Sequence, residues 1–174
     1  MPNPDLNFIL SSFTPKKYAK GDLLVREGQV CNYIYYFTEG LAKMYSTNGD
    51  REFIMRFIPE NSFATVIDSF TEQKPSCFEI IALEKCEVLI LHRDQFEALC
   101  KSHPMAETFF RKFLQIVASN MLKRISESLV NDAKHRYEIF LQNNHAIIQR
   151  ISLGDVANYL GITQVTLSRI RAKP

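Results

Sequence analysis

The hydrophobic pattern of this chain changes character once, near residue 92, and the two sides demand different structures. Before that point, short apolar and aromatic runs recur at 23–25, 33–37, 41–45, 53–58, 78–83 and 88–91. Turn-forming segments separate them: Lys20-Gly21-Asp22, Glu27-Gly28-Gln29, Glu39-Gly40, Thr47-Asn48-Gly49-Asp50 and Pro59-Glu60-Asn61. Strands this short, punctuated about every 8–12 residues, predict an antiparallel sandwich or barrel. Asn48-Gly49 predicts a tight hairpin whose two central residues both take positive φ.

Beyond residue 92 the period becomes helical. Phe96, Leu99 and Cys100 fit a short helix over 93–102, and Pro104 suits the first turn of the next one. Residues 105–130 contain no Gly or Pro, and Phe110, Leu114, Val117, Met121 and Ile125 recur at spacings of four, three, four and four. Phe109, Phe113 and Ile116 form a second stripe. A helix of this length extends about 39 Å. Two apolar stripes predict two packing partners, the preceding β domain and the same helix of a second chain. A single long core helix in a monomer fits the periodicity as well. Residues 133–141 predict a further helix through Tyr137, Phe140 and Leu141, Asn143-Asn144-His145 ends it, and 146–151 reads as a short strand.

The last segment is the most chemically suggestive. In SLGDVANYLGITQVTLSRIRA, Ser152 suits a helix N-cap, and Asp155 favours the positive end of that helix. Val156, Ala157 and Leu160 give an inner face, Gly161 a sharp turn, and Thr163 a second N-cap. Leu167 and Ile170 point inward, leaving Gln164, Thr166, Ser168, Arg169, Arg171 and Lys173 outward. Helix, glycine turn and helix make a helix-turn-helix, and these polar side chains suit base edges and phosphates. Gln164, at the start of the second helix, is the first candidate base reader, whereas Arg171 and Lys173 suit phosphate. An ordinary amphipathic helix pair with a solvated face is the alternative.

Composition narrows the classes. The chain is 46% hydrophobic and 23% charged, enough for packed cores. No run approaches the roughly 20 apolar residues of a membrane span, and the start lacks a secretory pattern, so the expectation is cytoplasmic with no membrane contact. Net charge is only +2, but residues 132–174 hold six cations against three anions, a local excess suited to phosphate. Cys31, Cys77, Cys86 and Cys100 form no CxxC pair and read as reduced, mostly buried thiols. No histidine precedes His92, which argues against a metal-dependent barrel enzyme. No GxSxG or glycine-rich phosphate loop offers a foothold for catalysis. The expectation is therefore a non-enzyme with no metal and no cofactor.

Taken with their order, these segments resemble the Crp/Fnr family of bacterial transcription regulators. KGDLLVREGQVCNYIYYFTEGLAKMY carries Gly21, Gly28 and Gly40 where cyclic-nucleotide-binding folds have them, and DREFIMRFIPENSFATVIDSF, CEVLILHRDQFEAL and the C-terminal helix pair follow in sequence. The resemblance implies an α+β fold: a double-stranded β-helix (jelly-roll or β-roll) sensor over 1–103, a dimerisation helix over 104–131, and a helix-turn-helix over 132–174. The last would be of winged-helix type, either as a short variant or with wing strands outside this sequence. Phe110, Leu114, Val117, Met121 and Ile125 then line a dimer interface, and Thr163, Gln164, Thr166, Ser168, Arg169, Arg171 and Lys173 face DNA. The implied partners are double-stranded DNA, a second copy of the chain, an unidentified small-molecule effector and RNA polymerase. A sensor module acting through a protein partner is the competing reading.

The family's effector cassette is altered. Members that bind cyclic AMP read roughly Phe-x-Gly-Glu-Leu, then Arg-Ser some eight residues on. The Glu binds the ribose and the Arg the cyclic phosphate. Here the matching positions are Phe63, Thr65, Val66, Ile67, Ser76 and Cys77. The two charged groups are thus replaced by Val66 and Ser76, and losing the guanidinium forfeits a contact worth about 1.5–3 kcal/mol. Nearby Lys74 cannot reproduce a bidentate fork. The expectation is no useful affinity for cyclic AMP or cyclic GMP.

Overall fold

The structure, a computed structural model, describes residues 4–172. It divides into two compact units, residues 1–108 and 109–174.

In the first unit, eight strands are described: β1 (Thr14–Tyr18), β2 (Leu23–Val25), β3 (Tyr33–Glu39), β4 (Ala42–Asn48), β5 (Arg51–Ile58), β6 (Ser62–Ala64), β7 (Glu79–Ala82) and β8 (Cys86–His92). They form two four-stranded antiparallel sheets, ordered β1-β8-β3-β6 and β2-β7-β4-β5. This is the expected β-roll. Tyr35, Phe37, Ala64 and Val88 from one sheet meet Val25, Ala42, Ile58, Ile80 and Ala82 from the other in a single buried cluster. Side chains alternate along each strand, so inward positions repeat every second residue. Three helices belong to this unit: α1 (Pro4–Leu10), α2 (Ile67–Glu72) and α3 (Arg93–Ser102). His92 caps α3 by accepting the Asp94 N–H at 3.3 Å.

Gly40 turns β3 into β4 at φ +95°, and a Cβ there would sit 2.4 Å from the Lys85 carbonyl oxygen. The β4–β5 hairpin forms where Asn48-Gly49 predicts one, but the turn lies one residue later. Asn48 stays in β4 opposite Arg51, and Gly49 is the residue of that turn with positive φ. Cross-strand pairing of Asn48 outweighs its tolerance for the left-handed region.

Helix α4 (Pro104–Val130) runs 27 residues, as its uninterrupted sequence predicts. Then come α5 (Ala133–Asn143), α6 (Leu153–Leu160) and α7 (Gln164–Ala172). The expected strand over 146–151 is absent: the chain makes a turn and a short 3-10 helix, Ile148–Arg150. Its backbone bonds are local, Ile148 N–H to the Asn144 carbonyl and Arg150 N–H to the Ile147 carbonyl. With no partner strand a ladder has nothing to pair with, and Ile147 and Ile151, four apart, are both buried as on a helical turn. Among the described residues the second unit contains no strand. Its core is Phe140, Ile147, Ile151, Val156, Ala157, Leu160 and Leu167. No helix among the described residues is long and apolar enough to cross a membrane, and no group of three or more His, Cys, Asp or Glu there could hold a metal ion.

Candidate functional site

Helices α6 and α7 form the predicted helix-turn-helix. The Ser152 hydroxyl accepts the Asp155 N–H at 3.0 Å and donates to the Asp155 carboxylate at 2.7 Å, fixing the start of α6. Gly161, at φ +68°, ends it: the Ile162 N–H reaches the Ala157 carbonyl and the Gly161 N–H the Asn158 carbonyl. This left-handed closure satisfies two terminal carbonyls and turns the chain sharply. Thr163 then caps α7, its hydroxyl accepting the Thr166 N–H at 3.1 Å and lying 2.9 Å from the Thr166 hydroxyl.

Leu167, 1% exposed, anchors α7, with Ile170 partly buried beside it. Gln164, Ser168 and Arg171 follow at i, i+4 and i+7 and line one exposed side of the helix, flanking the buried Leu167. Arg169 is exposed as well. Thr163 and Thr166 are engaged in capping, while Lys173 lies outside the described residues. Val165, 61% exposed at the start of the same helix, is an apolar member of this surface that polarity alone does not flag. Gly154 in α6 leaves room for the Gln164 side chain: a Cβ there would lie 2.7 Å from its Nε2.

Two arginines hold α6 from behind, and the sequence gives no sign of them. Arg124 of α4 donates to the Tyr159 carbonyl at 2.9 Å and stacks 4.0 Å above the Tyr159 ring. Burial pushes its pKa below the ordinary value. Arg136 of α5 donates to the Asn131 carbonyl at 3.0 Å and to the Leu160 carbonyl at 3.4 Å. Positive charge at the last carbonyls of α6 favours its negative end. Only tertiary contact brings residues so far apart in the chain together.

On α4, the apolar stripe is poorly covered. Phe110, Leu114 and Val117 are partly buried, whereas Met121 and Ile125 are each 53% exposed, and Leu122 and Leu129 are exposed too.

The six cassette residues differ in exposure. Val66, Thr65 and Ser76 are buried, Phe63 and Ile67 partly so, and Cys77 is exposed. Phe63 pairs with Tyr36 across β6 and β3, their rings 4.7 Å apart, on the face opposite Ala64 and Tyr35. The hydroxyls nearby are already spent. Thr65 donates to the Tyr33 carbonyl at 3.0 Å, Ser69 to the Lys74 carbonyl at 2.6 Å, and Ser76 to the Phe78 carbonyl at 2.7 Å. A hydroxyl has one proton to donate, so none of the three has a donor left for a phosphate. Lys74 pairs with Glu72 at 2.9 Å and Asp68 at 3.6 Å, and its hydrogen bond to Glu72 holds its pKa above the ordinary value. Two carboxylates on one ammonium leave this loop locally negative.

Comparison with known proteins agrees with this architecture. Residues 15–103 match the family model of the cyclic nucleotide-binding domain. The cAMP-activated global transcriptional regulator CRP of Salmonella typhimurium is 21% identical over 182 residues, covering 97% of this chain and 85% of that protein. Among solved structures, the c-di-GMP responsive global regulator CLP of Xanthomonas campestris superposes with a TM-score of 0.78 at 16% identity, covering 97% of this chain and 89% of CLP. FixK2 of Bradyrhizobium japonicum gives 0.75 at 18% identity, covering 92% of this chain and 83% of FixK2.

Proposed function

The chain belongs to the cyclic nucleotide-binding domain family and has the build of the Crp/Fnr transcription regulators, and from that premise we propose that it binds double-stranded DNA as a homodimer without responding to cyclic AMP. The observation that carries the DNA reading is the exposed face of α7, where Gln164, Ser168, Arg169 and Arg171 stand outward over a buried Leu167. Gln164, in the first turn, reaches a base edge, with adenine its best bidentate partner, and Val165 offers methyl groups to thymine. Arg171 meets phosphate and supplies affinity without sequence choice.

The exposed Met121, Leu122, Ile125 and Leu129 support pairing through α4. Two chains joined this way present two α7 helices to half-sites about 34 Å apart, one helical turn of DNA. A contact to RNA polymerase follows from the same reading. Insensitivity to cyclic AMP is supported by the loss of both charged cassette groups and by the spent hydroxyls of Thr65, Ser69 and Ser76.

Gel shifts on genomic fragments between 50 and 300 mM salt test the proposal. Affinity should fall steeply with salt, by a slope of about 0.9 per neutralised phosphate. Gln164→Ala should flatten base preference, and Arg171→Ala should weaken all sequences alike. If neither substitution alters binding, α7 is not the reader. Calorimetric titration showing micromolar cyclic AMP binding would sink the effector part alone.

A further inference from the structure

In the first unit, strand register turns one arginine away from the surface. Arg56 on β5 lies directly across from Met44 on β4, and Met44 faces Ile80 on β7. Residues opposite one another in antiparallel strands share a face of the sheet. Ile80 is fully buried, Met44 packs against the core cluster, and Ile58, two residues beyond Arg56, is fully buried too. The register therefore turns Arg56 to the inner side of the roll. Lys43 and Phe57, one residue away on each strand, occupy the other face.

Charge compensation sets Arg56 apart. Lys43 is buried but has Glu52 at 2.6 Å. Exposed Lys74 is matched by two carboxylates. Arg56 is partly buried, and that burial lowers its pKa from the ordinary value. No ion pair of the described residues includes it. A guanidinium partly withdrawn from water without an anion is held at a cost, and a bound anion offsets it. The neighbourhood is otherwise apolar: Met44 and Ile80 share its face, and Phe78 stands two residues before Ile80. Tyr33, Phe78, Met44 and Ile90 are the partly buried residues packed against the core.

We propose that Arg56 anchors the head group of an effector inside the roll, and that this effector is an organic monocarboxylate with an apolar body. The guanidinium fork matches a carboxylate with two parallel hydrogen bonds. A single uncompensated cation among apolar side chains fits one negative charge rather than a polyanion. The anchor thus sits on β5, a different element from the loop and helix that carry Val66 and Ser76. The inference rests on reading the roll as a sensor.

The test uses the full chain with 8-anilinonaphthalene-1-sulfonate as a fluorescent apolar anion, displaced by octanoate, benzoate, octanol or cyclic AMP. One dye should bind per chain, and both carboxylates should displace it. Arg56→Met should weaken octanoate at least tenfold while leaving octanol unchanged. Arg56→Lys, which keeps the charge but loses the fork, should weaken octanoate severalfold, and it serves as the readout should Arg56→Met fail to fold. Equal octanoate affinity in the wild type and the folded variants overturns the proposal, as does displacement by cyclic AMP but by neither carboxylate. A gel shift on the same protein keeps the outcomes separate. DNA binding without carboxylate binding defeats the effector site alone, and carboxylate binding without DNA binding defeats the regulator reading.

Discussion

Leu167→Ala isolates how α7 is held against its unit. Leu167 is 1% exposed, on the helix whose exposed side carries Gln164, Ser168 and Arg171. Truncating a fully buried leucine to alanine costs about 3 kcal/mol or more, from lost transfer free energy plus the cavity left behind. The second unit spans only residues 109–174. At roughly 0.05–0.15 kcal/mol per residue its whole stability is about 3–10 kcal/mol, so the substitution removes a large share of it. Hydrogen exchange read by mass spectrometry resolves the effect by segment. Amides of 153–172 should exchange about 150-fold faster, since every 1.4 kcal/mol is a factor of ten in the opening equilibrium. Amides of β3 and β8, whose core is separate, should keep their protection. Val165→Ala, on a side chain 61% exposed, provides the matched control and should change exchange by less than about threefold, within 0.5 kcal/mol. If Leu167→Ala leaves 153–172 as protected as the control does, α7 does not dock through this residue, and the orientation of its polar face loses its basis.

Three further outcomes follow from the same contacts. Gly40→Ala should lower the stability of the roll by more than about 3 kcal/mol in thermal unfolding, because its Cβ meets the Lys85 carbonyl at 2.4 Å as well as an unfavourable φ; Gly49→Ala, with positive φ but nothing within 4 Å, should cost only about 1–2 kcal/mol. Ser152→Ala removes the acceptor of the Asp155 N–H and should cost about 1 kcal/mol, which chemical denaturation followed by circular dichroism at 222 nm would measure. Met121→Glu combined with Ile125→Glu places two charges on the exposed stripe of α4 and should convert a dimer to a monomer in light scattering, weakening DNA binding while leaving the monomer's helix content in place.

Pleating sends Phe63 to one face of β6, against Tyr36, and Ala64 to the other, against Tyr35, a placement that only strand pairing fixes. Arg56 lies in a segment that resembles the family, where a lone arginine in a strand usually faces water. Its inward register became visible only through Met44 and Ile80 on two neighbouring strands.

Local chemistry was enough for the parts whose partners lie a few residues away. The period of α4, the Ser152 and Thr163 caps and the glycine turn at Gly161 all depend on i to i+4 geometry, which the chain carries within itself. β1 could not be read this way. Thr14–Tyr18 has one buried residue and a proline, and it is a strand because β8 offers it an edge to pair with. The strand expected over 146–151 fails for the reciprocal reason, since no edge is there to receive it. Arg124 and Arg136, bound to the Tyr159 and Leu160 carbonyls, belong to the same class. A backbone or charged group takes its role from whichever acceptor the fold delivers, and that acceptor is dozens of residues away in the chain.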